Sequence, residues 1–152
     1  MKSNKGFTIV ELIIVISIIS VLASLAIPML IRVRVQANES ACAANLRTLS
    51  TASEAFRSSQ NPPVYAADMN SLIGTNPPYL DSSWADNERQ GFNFNYVSPQ
   101  TGGTYACMAT PTTQNISGIN SYCVDQTGVI RRYAAGAVLG NGAGCDAGGA
   151  SL

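Results

Sequence analysis

Residues 5–30 read KGFTIVELIIVISIISVLASLAIPML. From Phe7 to Ile31 the chain carries one charge, the carboxylate of Glu11. As a helix rising 1.5 Å per residue, this run spans roughly 37 Å, longer than the ~30 Å hydrocarbon core of a bilayer. It is predicted to cross a membrane, with Lys2 and Lys5 holding its N-terminus in the cytoplasm and Arg32 and Arg34 at the far end weakening that bias. An ionised side chain in hydrocarbon costs about 2.5–3.5 kcal/mol on insertion scales, so Glu11 marks a functional position that needs a partner. Ser17, Ser20 and Ser24 fall on one face, where small residues let apolar helices approach and hydrogen-bond across. Pro28 lacks an N–H and clashes with the carbonyl four residues back, so a kink or interruption is expected there.

A cleaved secretory signal is the alternative reading, since MKSNK is a basic start and Ser24-Leu25-Ala26 offers small residues at cleavage-site spacing. Against it stand Glu11 inside the apolar region, a run longer than the usual 7–15 residues, and helix-favouring sequence that continues beyond.

The bulk composition narrows the function classes. A chain of 152 residues supports one domain, with about 120 residues beyond the apolar run for a modest core. Both lysines precede Gly6, leaving seven arginines against nine acidic residues, a balance that argues against nucleic-acid binding. The absence of histidine removes the commonest general base and metal ligand. A Ser or Cys nucleophile would need Lys or a carboxylate as base, and no enzyme activity, cofactor or metal site is predicted. Cys42, Cys107, Cys123 and Cys145 are too widely spread for a CxxC-type site, and their even number suits disulfides in an oxidising compartment.

From Arg32 to about Ser58 the sequence lacks Gly and Pro, and Cys42, Leu46, Leu49 and Phe56 recur at helical spacing, with Glu39, Arg47, Glu54 and Arg57 mostly off that stripe. The helix therefore continues, with one face for a sheet. Asn61-Pro62-Pro63 ends it, and residues 60–90 are expected to be loop with a short helix near 67–73. Gly91–Val97 alternates Phe92, Phe94 and Tyr96 with asparagines and reads as a half-buried strand. Thr104–Thr110, Ser121–Asp125 and Val129–Tyr133 are further strands, the last two joined by a turn at 125–128. The fold class is α+β, one long helix on a small antiparallel sheet. Six glycines between Ala134 and Leu152 preclude an independent core; left free, that tail is expected to be disordered, and Cys145 is its candidate tether. Arg131 and Arg132 read as solvated charges rather than a ligand patch.

Lys5-Gly6-Phe7-Thr8-Ile9-Val10-Glu11-Leu12 closely resembles the N-terminal signature of type IV prepilins and type II secretion pseudopilins, and the likeness extends more weakly through LRTLSTASEAF, YLDSSW and CVDQTGVIRR. The resemblance implies that a prepilin peptidase cuts between Gly6 and Phe7, that Phe7 becomes N-methylated, and that the apolar segment is retained. It divides the chain into a leader (1–6), a transmembrane and assembly helix (7–31) and a pilin-like globular domain (32–152). Glu11 would then meet the terminal amine of a neighbour's Phe7 and set the register of a filament, with Phe7, Glu11 and Pro28 as assembly residues. Many family members carry glycine where this chain has Ser20, and show an extended stretch before the proline.

The implied function is a structural subunit of a type IV pilus. The alternatives are a major pseudopilin of type II secretion and a monomeric membrane-anchored binding module. Implied partners are further copies of the chain, the peptidase, the inner-membrane assembly machinery and the inner membrane itself, which holds the precursor with its globular domain in the periplasm. For the cysteines, consecutive strands favour Cys107 with Cys123, which leaves Cys42 for Cys145. The family resemblance instead implies Cys123 with Cys145, leaving Cys42 for Cys107.

Overall fold

Thr8 opens a single helix, α1, that runs from Ile9 to Ser59 through Pro28 and stops two residues short of Asn61-Pro62. The computed structural model describes residues 6–99, 103–134, 144–145 and 149–152, which form two compact units divided between Arg34 and Val35. No interruption occurs at Pro28, contrary to one of the two outcomes expected there. Proline removes one i→i−4 bond, while the flanking apolar residues have no other backbone partners and stay helical.

In the first unit the large apolar side chains from Ile9 to Val33 are all between 43 and 78% exposed. α1 is long and apolar enough here to cross a membrane.

The second unit is built on the amphipathic half of α1. Cys42, Leu46 and Leu49 are fully buried, Ala52 and Ser53 extend the stripe, and Phe56 packs edge-on against Tyr79 at 5.6 Å. These residues share one core with Phe92, Phe94, Tyr105, Cys107, Ala109, Tyr122 and Val124 of the sheet side. The sheet is an antiparallel meander in chain order: β1 (Glu88–Arg89), β2 (Phe92–Val97), β3 (Ala106–Pro111), β4 (Asn120–Asp125), β5 (Arg131–Ala134) and β6 (Ala150–Ser151). The alternation in β2 holds, with Phe92 and Phe94 buried while Asn93 and Asn95 are exposed. Both edge strands, β1 and β6, have two residues each, which limits the unpaired backbone offered to another chain.

The 60–90 segment contains α2 (Met69–Ile73), capped by Asp68, whose side chain accepts from the Ser71 N–H at 2.8 Å. A 3-10 turn at Ser82–Trp84, capped likewise by Asp81, delivers Trp84 into the core. The Trp84 ring meets Phe94 edge-on at 5.4 Å and is covered by the Arg89 guanidinium at 4.6 Å.

Register decides the cysteines. Met108 pairs with Cys123, and Cys107 with Val124. Cys107 and Cys123 are thus offset by one residue, and side chains one residue apart point to opposite faces of a sheet. The expected Cys107–Cys123 and Cys42–Cys145 pairing is therefore wrong. The disulfide joins Cys123 to Cys145, with Cα atoms 5.8 Å apart, on the face away from α1 beside Ala106 and Met108.

Candidate functional site

The helix N-terminus answers the question of what Glu11 touches within its own chain. Thr8 is the N-cap and Glu11 stands three residues on. The Thr8 hydroxyl accepts from the Glu11 N–H at 3.2 Å, while Glu11 Oε2 accepts from the Thr8 N–H at 2.9 Å and the Thr8 hydroxyl at 2.8 Å. This is a reciprocal capping box, and it satisfies two backbone donors that the first helical turn leaves open. The spacing Thr8-x-x-Glu11 is the sequence signal for such a box, and it is easily passed over beside a lone charge that points to an intermolecular partner. All of these bonds use Oε2 or the Thr8 hydroxyl, and none uses Oε1.

Gly6 and Phe7 precede the helix outside regular secondary structure and are exposed, Phe7 to 88%. The three serines donate to carbonyls of their own helix, Ser17 to Ile13, Ser20 to Ile16 and Ser24 to Val21, each at 2.7 Å. Their hydroxyls are satisfied without a neighbour. What they offer another helix is small size.

In the globular unit, Glu39 belongs to the fold rather than to a solvated face. Its Oε1 accepts from the N–H groups of Ile119 and Asn120 at 2.9 and 3.0 Å and from Asn120 Nδ2 at 3.2 Å, while Asn38 Nδ2 donates to the Ser117 carbonyl at 2.9 Å. Together they strap the β3–β4 loop to α1. Partial burial alone would raise the Glu39 pKa, but these donors and Tyr122 outweigh it and hold it below the usual carboxylate range. Glu54 accepts a short hydrogen bond from the Tyr65 hydroxyl. Arg132 is exposed as expected, whereas Arg131 is half-buried and acts on Asp125.

The described tail residues are held by a disulfide and by hydrogen bonds. Cys145 is bonded to Cys123, its N–H donates to Asp125 Oδ2 at 3.1 Å, and β6 pairs with β5 through Arg131–Ser151 and Arg132–Ala150. A Cβ added at Gly149 would lie 2.6 Å from Tyr133 Cζ, so glycine permits this close approach. Cys145 is thus the tether expected of it, and residues 144–145 and 149–152 are not left free; residues 135–143 and 146–148 lie outside the described residues.

Asp125 is 4% exposed. Burial by itself would raise its pKa, but the Thr127 hydroxyl at 2.6 Å, the Thr127 N–H at 2.9 Å, the Cys145 N–H and the Arg131 charge hold it below the ordinary value. As pH falls, the unfolded chain then binds this proton before the native one does. The stabilisation is present above about pH 4 and is lost as pH drops through the native pKa. Chemical unfolding at pH 7, 4 and 3 should show wild type losing stability over the last interval. Asp125→Asn should reduce that slope by up to about 1.4 kcal/mol per pH unit, the limit for one proton.

Among the described residues no group of three or more His, Cys, Asp or Glu is placed to hold a metal ion. The family profile described as Prokaryotic N-terminal methylation motif matches residues 1–27. The chain is 41% identical over 58 residues to the type IV major pilin protein PilA of Myxococcus xanthus, a match covering 38% of this chain and 26% of that protein's length. It is 30% identical over 113 residues to the type IV wide pilus major component PilA4 of Thermus thermophilus, covering 73% of this chain and 85% of the relative. No solved structure matches significantly. With the methylation motif at its start, a long helix on an antiparallel sheet, and a likeness spanning most of a pilus subunit, the chain belongs to the type IV pilin family.

Proposed function

We propose that the chain is a structural subunit that polymerises through residues 7–31 into a type IV pilus after cleavage between Gly6 and Phe7 and N-methylation of Phe7. The observation that carries this reading is the apolar surface of α1: the large apolar side chains from Ile9 to Ile31 stand open all round the helix, and the one charge among them is the carboxylate of Glu11 in the first turn. A helix apolar on every side needs lipid or other helices around it. Lipid serves before assembly, with the globular unit in the periplasm, and neighbouring subunits serve in the filament. Cleavage leaves Thr8 an amide donor, so the capping box survives, and Oε1 of Glu11 is available to the cationic amine of a neighbour's Phe7. The pilin relatives, whose names describe pilus components, support a structural role.

Intact mass of the native protein tests the processing: a chain starting at N-methyl-Phe7 is expected, and a start beyond the apolar run would overturn it. Deletion of the gene should remove long surface filaments seen by negative stain while secretion continues; loss of secretion without filament loss would place the protein in a pseudopilus. Gly6→Val should accumulate full-length precursor in the inner membrane, with at least a tenfold drop in mature chain on an immunoblot, because the peptidase cut falls after Gly6; the retained Lys2 and Lys5 then resist extraction into a filament.

A further inference from the structure

We propose that Cys42 and Cys107 form a second disulfide, which locks α1 to the centre of the sheet. Both thiols are free in the structure, both are fully buried, and both belong to the core between the helix and the sheet. Cys107 is the second residue of β3, on the helix-facing side, beside Tyr96 of β2 and Val124 of β4 in register. Cys42 lies one turn before Leu46 on the stripe that faces it. The strand side suits a close approach, since the next helix-facing residue after Cys107 is the small Ala109. Cys42, Cys107 and the helix-facing Tyr122 and Val124 of β4 are buried in the same core. The bridge would sit on the opposite face of the sheet from Cys123–Cys145, so each joins a different layer to it.

In forming it, the two Sγ–H bonds break, an Sγ–Sγ bond forms, and two protons leave. The two electrons pass to the disulfide of a thiol–disulfide oxidoreductase, which becomes a dithiol. The thiolate is the attacking species, and burial pushes both thiols above their ordinary range once the core has closed. Oxidation therefore precedes the seating of α1 on the sheet, and the finished bond is shielded from reductant.

The inference relies on the export proposed above, and Cys123–Cys145 serves as its internal control. Full-length protein isolated from cells is denatured with excess iodoacetamide, digested without reductant and mapped. The expected result is a linked Cys42–Cys107 peptide, a linked Cys123–Cys145 peptide and no alkylated cysteine. Alkylated Cys42 and Cys107 beside an intact Cys123–Cys145 would overturn the proposal and leave export standing. Alkylation of all four would overturn both. A Cys42→Ala/Cys107→Ala double variant gives a second readout: the roughly 65-residue loop that it opens should lower Tm by about 10 °C, whereas two mere thiols would leave it within a few degrees.

Discussion

Glu11→Gln should reduce surface filaments at least tenfold, as far as Glu11→Ala does, while cleavage after Gly6 proceeds in both. The pair of substitutions separates the two roles of the carboxylate. A capping interaction is worth about 1 kcal/mol, and Gln at the third helical position can still accept from the Thr8 N–H. An ion pair between Glu11 and a neighbour's terminal amine at about 4 Å is worth on the order of 4 kcal/mol at an effective dielectric of 20, and Gln cannot make it. The ion pair outweighs the cap, so loss of charge alone should match loss of the whole side chain. Filament counts by negative stain, with intact mass confirming processing, provide the measurement. Near-normal filaments in Glu11→Gln, with failure only in Glu11→Ala, would show that the capping box rather than the ion pair carries assembly.

Trp84→Ala should destabilise the globular unit by about 3–5 kcal/mol, a large share of the roughly 5–15 kcal/mol typical of a folded domain. The ring is 2% exposed, stands edge-on to Phe94 and sits under Arg89, and it comes from a segment whose regular elements are five residues long at most. Its removal leaves a cavity that helix and sheet cannot both close. Guanidinium unfolding followed by far-UV circular dichroism measures the effect, since the substitution removes the only tryptophan. A loss below about 1.5 kcal/mol would mean that the 60–90 segment collapses into the space.

Much of the fold was legible because it rests on periodicity. The apolar run, the Cys42-Leu46-Leu49 stripe and the Phe92-Phe94 alternation each report a local repeat, and helix α2 and strands β2 to β5 fall where those patterns and the Pro and Gly punctuation place them. Strands β1 and β6 were not legible, since two residues hold no period and Ala150-Ser151 pairs only because the Cys145 tether brings it back to β5. The roles of Glu39, read only as lying off the helix stripe, and of Asp125, read only as the start of a turn, were not legible, because nothing local says that each accepts hydrogen bonds from chain far away in sequence or from the tail.

The sequence by itself determined that this chain has a membrane-length apolar helix with a lone carboxylate at its start, an amphipathic continuation and an antiparallel sheet, because these follow from the spacing of neighbouring residues. Only the tertiary structure decided which cysteine meets Cys123, that the tail returns to the sheet, and that Glu39 straps a loop to α1. Those outcomes depend on strand register, where a slip of one residue exchanges the two faces of a sheet, and register is settled by packing across the whole core.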